Sequence, residues 1–157
     1  MKQRIDLLEK GRKAIKALGG LSVYLAKSSL EPQLINLIDF RVSQINGCAY
    51  CLDMHSKDLR AAGETEQRLY VLDAWREAPF YSKRERAALA WAEAVTELKN
   101  KNVPDEIYEE ARSEFSEEEI IDLTMAIIAI NTYNRINIAF KTPAGDYQSG
   151  QWAVHAN

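Results

Sequence analysis

The sequence predicts an all-α protein in which about six to eight helices pack into a bundle. Apolar residues recur at helical spacing along most of the 157 residues, and no segment shows the apolar–polar alternation of a strand. Two segments begin with the spacing of a capping box, Ser82 with Glu85 and Ser116 with Glu119. Helical periodicity and helix-start signals together define the fold class.

Glycine, proline and capping residues divide the chain into its helices. Gly19-Gly20 is expected to end the first helix, Pro32 suits a first helical turn, and Gly63 suits a C-terminal stop. The predicted helices are residues 5–18, 21–29, 32–45, 48–63, 65–77, 82–98, 104–115 and 117–140. From about residue 142 a polar, irregular tail follows. By its length the chain forms one domain, residues 1–157.

The last predicted helix, residues 117–140, is apolar on most of its faces. Such a helix is buried either at the centre of a fold or in a subunit interface. A chain this short has more apolar surface than one small core readily covers, so a homo-oligomer is expected. A monomeric bundle whose other helices surround this one is the alternative.

Composition narrows the possible functions. The net charge of −3 and the pI near 5.5 argue against nucleic acid or an anionic membrane as partner. The polar start of the chain lacks the apolar core of a signal peptide. No stretch has the uninterrupted apolar length of a membrane span. We therefore expect a cytoplasmic protein without a nucleic-acid or membrane partner.

Both cysteines lie in one motif, C-x-x-C-x-x-x-H, formed by Cys48, Cys51 and His55. Asn46-Gly47 is a turn dipeptide and the residues after it suit a helix, which places the cysteines in its first turn. There the three side chains fall within an arc of roughly 60°. The helix N-terminus favours a thiolate, and the histidine can exchange a proton with it. The motif predicts a dithiol redox site with its own base.

Two other interpretations of the motif stay open. The cysteines could be small buried hydrophobic residues and His55 a hydrogen-bonded core histidine. Alternatively the three residues could be zinc ligands, but structural zinc sites draw on a second pair of ligands and the only other histidine is His155, in the tail. Because a lone C-x-x-C in a chain without export signals is typical of redox chemistry, we expect no metal.

Three stretches resemble the AhpD-like alkylhydroperoxidases, single-domain members of the carboxymuconolactone decarboxylase superfamily. They are RVSQINGCAYCLDMH at 41–55, ERAALAWAEAVT at 85–96 and NTYNRI at 131–136. The resemblance covers roughly residues 15–150. The C-x-x-C-x-x-x-H core is specific for the redox-active branch, because the decarboxylases of the superfamily generally lack it.

The resemblance implies an AhpD-like bundle, commonly a trimer or hexamer, that reduces alkyl hydroperoxides in antioxidant defence without a cofactor. An external dithiol, a protein or a small thiol, would supply the electrons. We assign peroxide attack to Cys51, which neighbours His55 on the helix, and resolution to Cys48, which is expected to be more exposed. The alternatives are a non-enzymatic redox-sensing or interaction oligomer and a decarboxylase-like lyase.

One departure from the family concerns the proton relay. Family members commonly carry a glutamate twelve residues before the first motif cysteine, and this position is Asn36, whose amide takes no proton near neutral pH. Glu93 and Glu85 are the candidate replacements, each with ordinary solvated helix charge as the alternative. Some members have a histidine just before the second cysteine. Tyr50 stands there and is expected to pack at the mouth of the site.

The sequence also places three asparagines at three-residue intervals within the last, apolar helix. Asn131, Asn134 and Asn137 need hydrogen-bond partners if they are buried. We favour a structural role between helices over a role in lining the site. The tryptophans are expected to be packing anchors: Trp75, Trp91 and Trp152.

Overall fold

The computed structural model describes residues 2–152, which form eight α-helices and contain no strand, as the sequence predicts. The helices are α1 (Leu7–Lys10), α2 (Arg12–Leu25), α3 (Pro32–Asn46), α4 (Ala49–Ala61), α5 (Glu66–Val71), α6 (Lys83–Glu97), α7 (Asp105–Glu114) and α8 (Glu117–Phe140). Leu72–Ala74 and Lys99–Lys101 are short 3-10 segments. His155 lies outside the described residues. None of the helices formed by residues 2–152 combines the length with the apolar composition that a membrane-spanning helix needs.

Helix α3 lies at the centre of the bundle and contacts α4, α6 and α8. One core cluster fills the space between these helices and contains both cysteines together with Ile38, Trp91 and Ile127. A second cluster packs the other side of α3 around Phe40, Leu72 and Trp75. The motif helix α4 therefore packs against α3 and contributes its cysteines to the first core cluster.

The predicted helix starts are confirmed in atomic detail. Ser82 and Ser116 each accept a hydrogen bond from the backbone N–H three residues on. The carboxylates of Glu85 and Glu119 in turn accept one from the backbone N–H of Ser82 and Ser116. Pro32 occupies the first turn of α3. These local signals are read correctly from sequence because each is satisfied within one helical turn.

The prediction that Gly19-Gly20 ends a helix is wrong. Helix α2 runs through both glycines, and the break lies at Gly11, whose N–H bonds the oxygen of Leu7. A glycine inside a helix costs only about 1 kcal/mol relative to alanine. Packing of α2 against α8, with Leu25 buried beside alanines of α8, outweighs that cost.

The predicted helix 65–77 is shorter than expected. Helix α5 ends at Val71, and the chain tightens into a 3-10 turn that ends next to Trp75. Trp75 is 3% exposed, and its indole N–H donates a hydrogen bond to the carboxylate of Glu93 on α6. The tighter turn therefore accompanies a tertiary contact of Trp75, and the local sequence does not predict that contact.

Candidate active site

The site begins where α3 ends and α4 starts. Gly47 closes α3 with a left-handed φ of 69°, a conformation that glycine adopts without strain. The next residue, Cys48, is the N-cap of α4, and its sulfur accepts a hydrogen bond from the N–H of Cys51 at 3.4 Å. The Asn46-Gly47 turn predicted from sequence thus directs Cys48 back over the first turn of the motif helix.

Cys48 and Cys51 are paired as a disulfide with a Cα–Cα distance of 5.4 Å. Each residue is 1% exposed, so the expectation that Cys48 is the more exposed of the two is wrong. The reason is its capping position, which turns the side chain toward the helix and into the core cluster. Asn137 on α8 donates a hydrogen bond to the sulfur of Cys51 at 3.4 Å.

His55 lies one helical turn beyond Cys51 on the buried face of α4. It is 7% exposed, and neither ring nitrogen has a hydrogen-bond partner. Burial lowers the pKa of His55 to about 4, against a smaller opposing effect of the Asp58 charge. The imidazole is therefore neutral at physiological pH, with one nitrogen free to accept a proton.

The carboxyl group nearest His55 belongs to Asp39, a residue that no sequence motif marks. An oxygen of Asp39 lies 3.9 Å from Nε2 of His55. Burial raises the pKa of Asp39 to about 8, so the carboxyl group holds a proton at neutral pH. Asp39 follows Asn36 by three residues, one helical turn along α3, and that spacing is the signal that could have identified it.

Glu93 is held in a network of its own. Its carboxylate accepts hydrogen bonds from Arg41 at 2.8 Å, Trp75 at 2.9 Å and Arg76 at 2.5 Å. Burial pushes the pKa of Glu93 upward, but these three donors outweigh burial and the pKa lies below its ordinary value. Glu93 is therefore an ionised, fully partnered carboxylate, and its part in a relay stays a prediction.

Glu85 has two contacts, both typical of a structural residue. One carboxylate oxygen accepts the backbone N–H of Ser82 in the capping box of α6. The other accepts a hydrogen bond from Arg68 at 2.5 Å. These contacts tie α6 to α5.

The three asparagines of α8 divide between the two predicted roles. Asn134 is fully buried and accepts from Asn46 at 2.9 Å while donating to Ser43 at 3.0 Å. Asn131 accepts from Asn46 at 3.0 Å. Both fix the turn that precedes Cys48, whereas Asn137 contacts the disulfide.

The described part of the polar tail, as far as residue 152, lies along α4. Lys57 donates to the carbonyl oxygens of Gly145 and Tyr147, and Asp58 accepts hydrogen bonds from Tyr147, Ser149 and Gly150. The indole N–H of Trp152, the last described residue, donates to the hydroxyl of Tyr50 at 3.1 Å.

The sequence does not predict this docking. Trp75 and Trp91 are buried packing anchors as predicted, but Trp152 is 46% exposed. Tyr50 does pack against the cluster that contains the cysteines, as expected for the mouth of the site. Among residues 2–152, no group of three or more His, Cys, Asp or Glu side chains is arranged to hold a metal ion.

Fold and site together define an all-helical protein with a buried C-x-x-C disulfide next to an unpartnered histidine. The model of the carboxymuconolactone decarboxylase family matches residues 10–94. The uncharacterized protein YdfG of Bacillus subtilis (strain 168) is 45% identical over 139 residues, 88% of this chain and 95% of YdfG. The chain therefore belongs to the carboxymuconolactone decarboxylase family, as an AhpD-like member.

Two solved structures share this fold, one with high and one with lower sequence identity. A protein of unknown function from Agrobacterium tumefaciens, named for AhpD-type antioxidant defence, matches with a TM-score of 0.88 and 43% identity, covering 93% of this chain and all of that one. The debrominase Bmp8 matches with a TM-score of 0.76 and 25% identity, covering 88% of this chain and 74% of its own. The fold thus supports more than one chemistry.

Proposed function

We propose that the protein is a thiol-dependent peroxidase of AhpD type. In this proposal the Cys48–Cys51 pair is oxidised by a hydroperoxide and reduced by an external dithiol. The observation that supports it most directly is the pairing of the two cysteines at the start of α4, one turn before a buried histidine without a hydrogen-bond partner. No organic cofactor is needed, and a cytoplasmic location is part of the proposal.

The oxidative half of the cycle starts from the reduced pair. The thiolate of Cys51 attacks one peroxide oxygen, the O–O bond breaks, and the other oxygen leaves as an alkoxide that takes a proton to become an alcohol. The sulfenic acid on Cys51 then condenses with the thiol of Cys48, forming the disulfide and releasing water. Two electrons pass from the cysteines to the peroxide.

In this proposal His55 and Asp39 transfer the protons of the cycle. A neutral imidazole can take the proton that the Cys51 thiol loses, since the two residues are one turn apart on the same buried face. The protonated Asp39 carboxyl, 3.9 Å from that imidazole, can return a proton for the leaving alkoxide. We propose that Asp39 serves as the carboxylate that the family has at the position of Asn36.

The test is a peroxide-consumption assay with cumene hydroperoxide and dithiothreitol. We expect steady turnover, which Cys48→Ser and Cys51→Ser each abolish because neither variant can close the disulfide. Mass spectrometry of the oxidised wild-type protein should show a loss of two hydrogens that dithiothreitol restores.

The same assay separates the alternatives. A disulfide that forms and is reduced without catalytic turnover would support a redox sensor. Two free thiols after mild peroxide treatment would contradict the redox proposal altogether and leave the lyase to be tested.

We further propose that the protein is a homo-oligomer, a trimer or a hexamer. On α8, Ile121 is 59% exposed and Ile128 is 45% exposed, and Leu98 at the end of α6 is 52% exposed. Exposed apolar residues that share one face commonly mark an interface. Sedimentation equilibrium should give a multiple of 17.8 kDa at micromolar concentration. A mass near that of one chain would contradict the proposal.

A further inference from the structure

The tail is attached to the same helix that carries the disulfide. Residues 145–152, here called the strap, make hydrogen bonds to four residues of α4: Tyr50, Asp53, Lys57 and Asp58. Asp58 alone accepts from the Tyr147 hydroxyl at 2.9 Å, the Ser149 hydroxyl at 2.8 Å and the Gly150 N–H at 3.1 Å. Tyr147 is 5% exposed, so the strap is anchored by burial as well as by polar contacts.

The strap ends at the aromatic pair Tyr50–Trp152. Tyr50 lies between Cys48 and Cys51 in the first turn of α4 and packs against the cluster that contains both sulfurs. Trp152 reaches back along the helix to donate its indole N–H to the Tyr50 hydroxyl. This single hydrogen bond, near the surface, links the strap to the turn that carries the disulfide.

A buried disulfide poses a problem for its own reduction. A thiolate has to approach one sulfur in line with the S–S bond, yet both cysteines are 1% exposed. The incoming thiolate forms a mixed disulfide with one cysteine and expels the other as a thiolate, which takes a proton. The second thiol of the reductant then releases the first cysteine, so that two electrons enter the pair. Something on the surface of α4 has to move first.

We propose that the Tyr50–Trp152 pair is a gate that determines which thiols reach the Cys48–Cys51 disulfide. The proposal rests on the proposed function, since it assumes reduction by an external dithiol. The closed pair holds Tyr50 against the cluster that contains both cysteines. The gate opens when this exposed hydrogen bond breaks and Tyr50 moves, while the Asp58 anchor keeps the strap in place. A small dithiol can reach the disulfide when the gate opens only slightly, whereas a protein whose dithiol lies on a broad surface needs the gate to open further.

The experiment measures the rate of disulfide reduction directly, by trapping free thiols with a maleimide at successive times. The reductants are dithiothreitol and reduced thioredoxin. The variants are Tyr50→Phe, which removes the acceptor hydroxyl, Trp152→Phe, which removes the donor and keeps a ring, and the double variant. Tyr70→Phe is the matched control, because Tyr70 is 75% exposed and its hydroxyl bonds Glu66 at a distance from the site.

Each single variant should speed reduction by thioredoxin about two- to tenfold, the effect of losing one hydrogen bond, with a smaller gain for dithiothreitol. The double variant should match the singles, because both remove the same contact. Tyr70→Phe should behave like wild type. Circular dichroism melting curves check that every variant is folded.

The outcomes separate the two proposals. Rates equal to wild type with both reductants, slower reduction, or gains that add in the double variant would overturn the gate and leave the peroxidase proposal standing. A disulfide that neither reductant opens, in wild type or variants, would overturn the proposed function itself.

Discussion

Glu93 and Asp39 are two carboxylates withdrawn from solvent on neighbouring helices, with side chains 12% and 17% exposed. Glu93 is surrounded by donors, two of them arginines, and its pKa lies below the ordinary value. Asp39 has no arginine or lysine in ion-pair contact among the described residues, and its one basic neighbour is His55, with Nε2 3.9 Å from a carboxyl oxygen. Burial raises the pKa of Asp39 to about 8. Similar burial therefore leaves one group ionised and the other protonated.

The difference shows that a buried carboxyl group can serve the structure at one position and the chemistry at another. A buried carboxylate with matched cations fixes helices in place, and breaking such a pair is costly. A buried carboxyl without a strong partner destabilises its ionised form and keeps a proton that it can donate. Perturbed pKa values of this second kind cluster at functional sites. The comparison can be tested by changing each residue in turn.

The largest effect is expected at His55. His55→Ala should slow peroxide turnover about 10²–10⁴-fold, the usual cost of losing a general acid–base group. The measurement is the steady-state rate with cumene hydroperoxide at saturating dithiothreitol. Leu59→Val, a buried change one turn further along α4, controls for lost packing. Full activity in His55→Ala would mean that His55 is only a packing residue. Asp39 would then have no histidine with which to exchange protons during turnover.

The next effect is on stability, at Glu93. Glu93→Gln keeps the shape of the side chain but leaves Arg41 and Arg76 without its charge. We expect the free energy of unfolding in urea to fall by about 3 kcal/mol, as for one half of a buried ion pair. Peroxidase activity per folded molecule should stay at the wild-type level. A clear loss of that activity would instead favour Glu93 as the relay carboxylate.

Much of the fold and site is predictable because the signals are local. The capping boxes at Ser82 and Ser116 and the Gly47 stop are each satisfied within a turn of chain. The C-x-x-C spacing brings the two cysteines together for the same reason, as helix geometry alone sets it.

The remaining features depend on contacts between segments far apart in sequence. Helix α2 continues through Gly19 because α8 supports it, and the strap docks because Asp58, some ninety positions earlier, accepts its donors. The proximity of Asp39 to His55 arises from α3 packing on α4. Only the one-turn offset of Asp39 from Asn36 hinted at it in the sequence.

The smallest effect is expected at Asp39, and it has two parts with opposite signs. Asp39→Asn removes the proton donor, so peroxide turnover should fall by up to about 10²-fold, the lower end of the cost for an acid–base group. The same change should stabilise the fold. An asparagine amide cannot ionise and therefore avoids the penalty that burial places on a carboxylate. Asp105→Asn, at an exposed position in the first turn of α7, is the matched control.

The pH dependence of that stability gives the sharpest distinction. The pKa of Asp39 is raised from 3.8 to about 8, so the unfolded chain loses this proton first and the wild-type protein is destabilised as pH rises between those values. His55 acts in the opposite direction: its pKa is lowered from 6.5 to about 4, and stability falls as pH drops through that range.

Melting temperatures taken from pH 6.5 to pH 8 therefore isolate Asp39. Across this window the gain of Asp39→Asn over wild type should grow, and it should level off only above the folded pKa of about 8, while Asp105→Asn runs parallel to wild type. A constant difference would show that Asp39 is already ionised at neutral pH, as Glu93 is, and the contrast between the two carboxylates would then be lost.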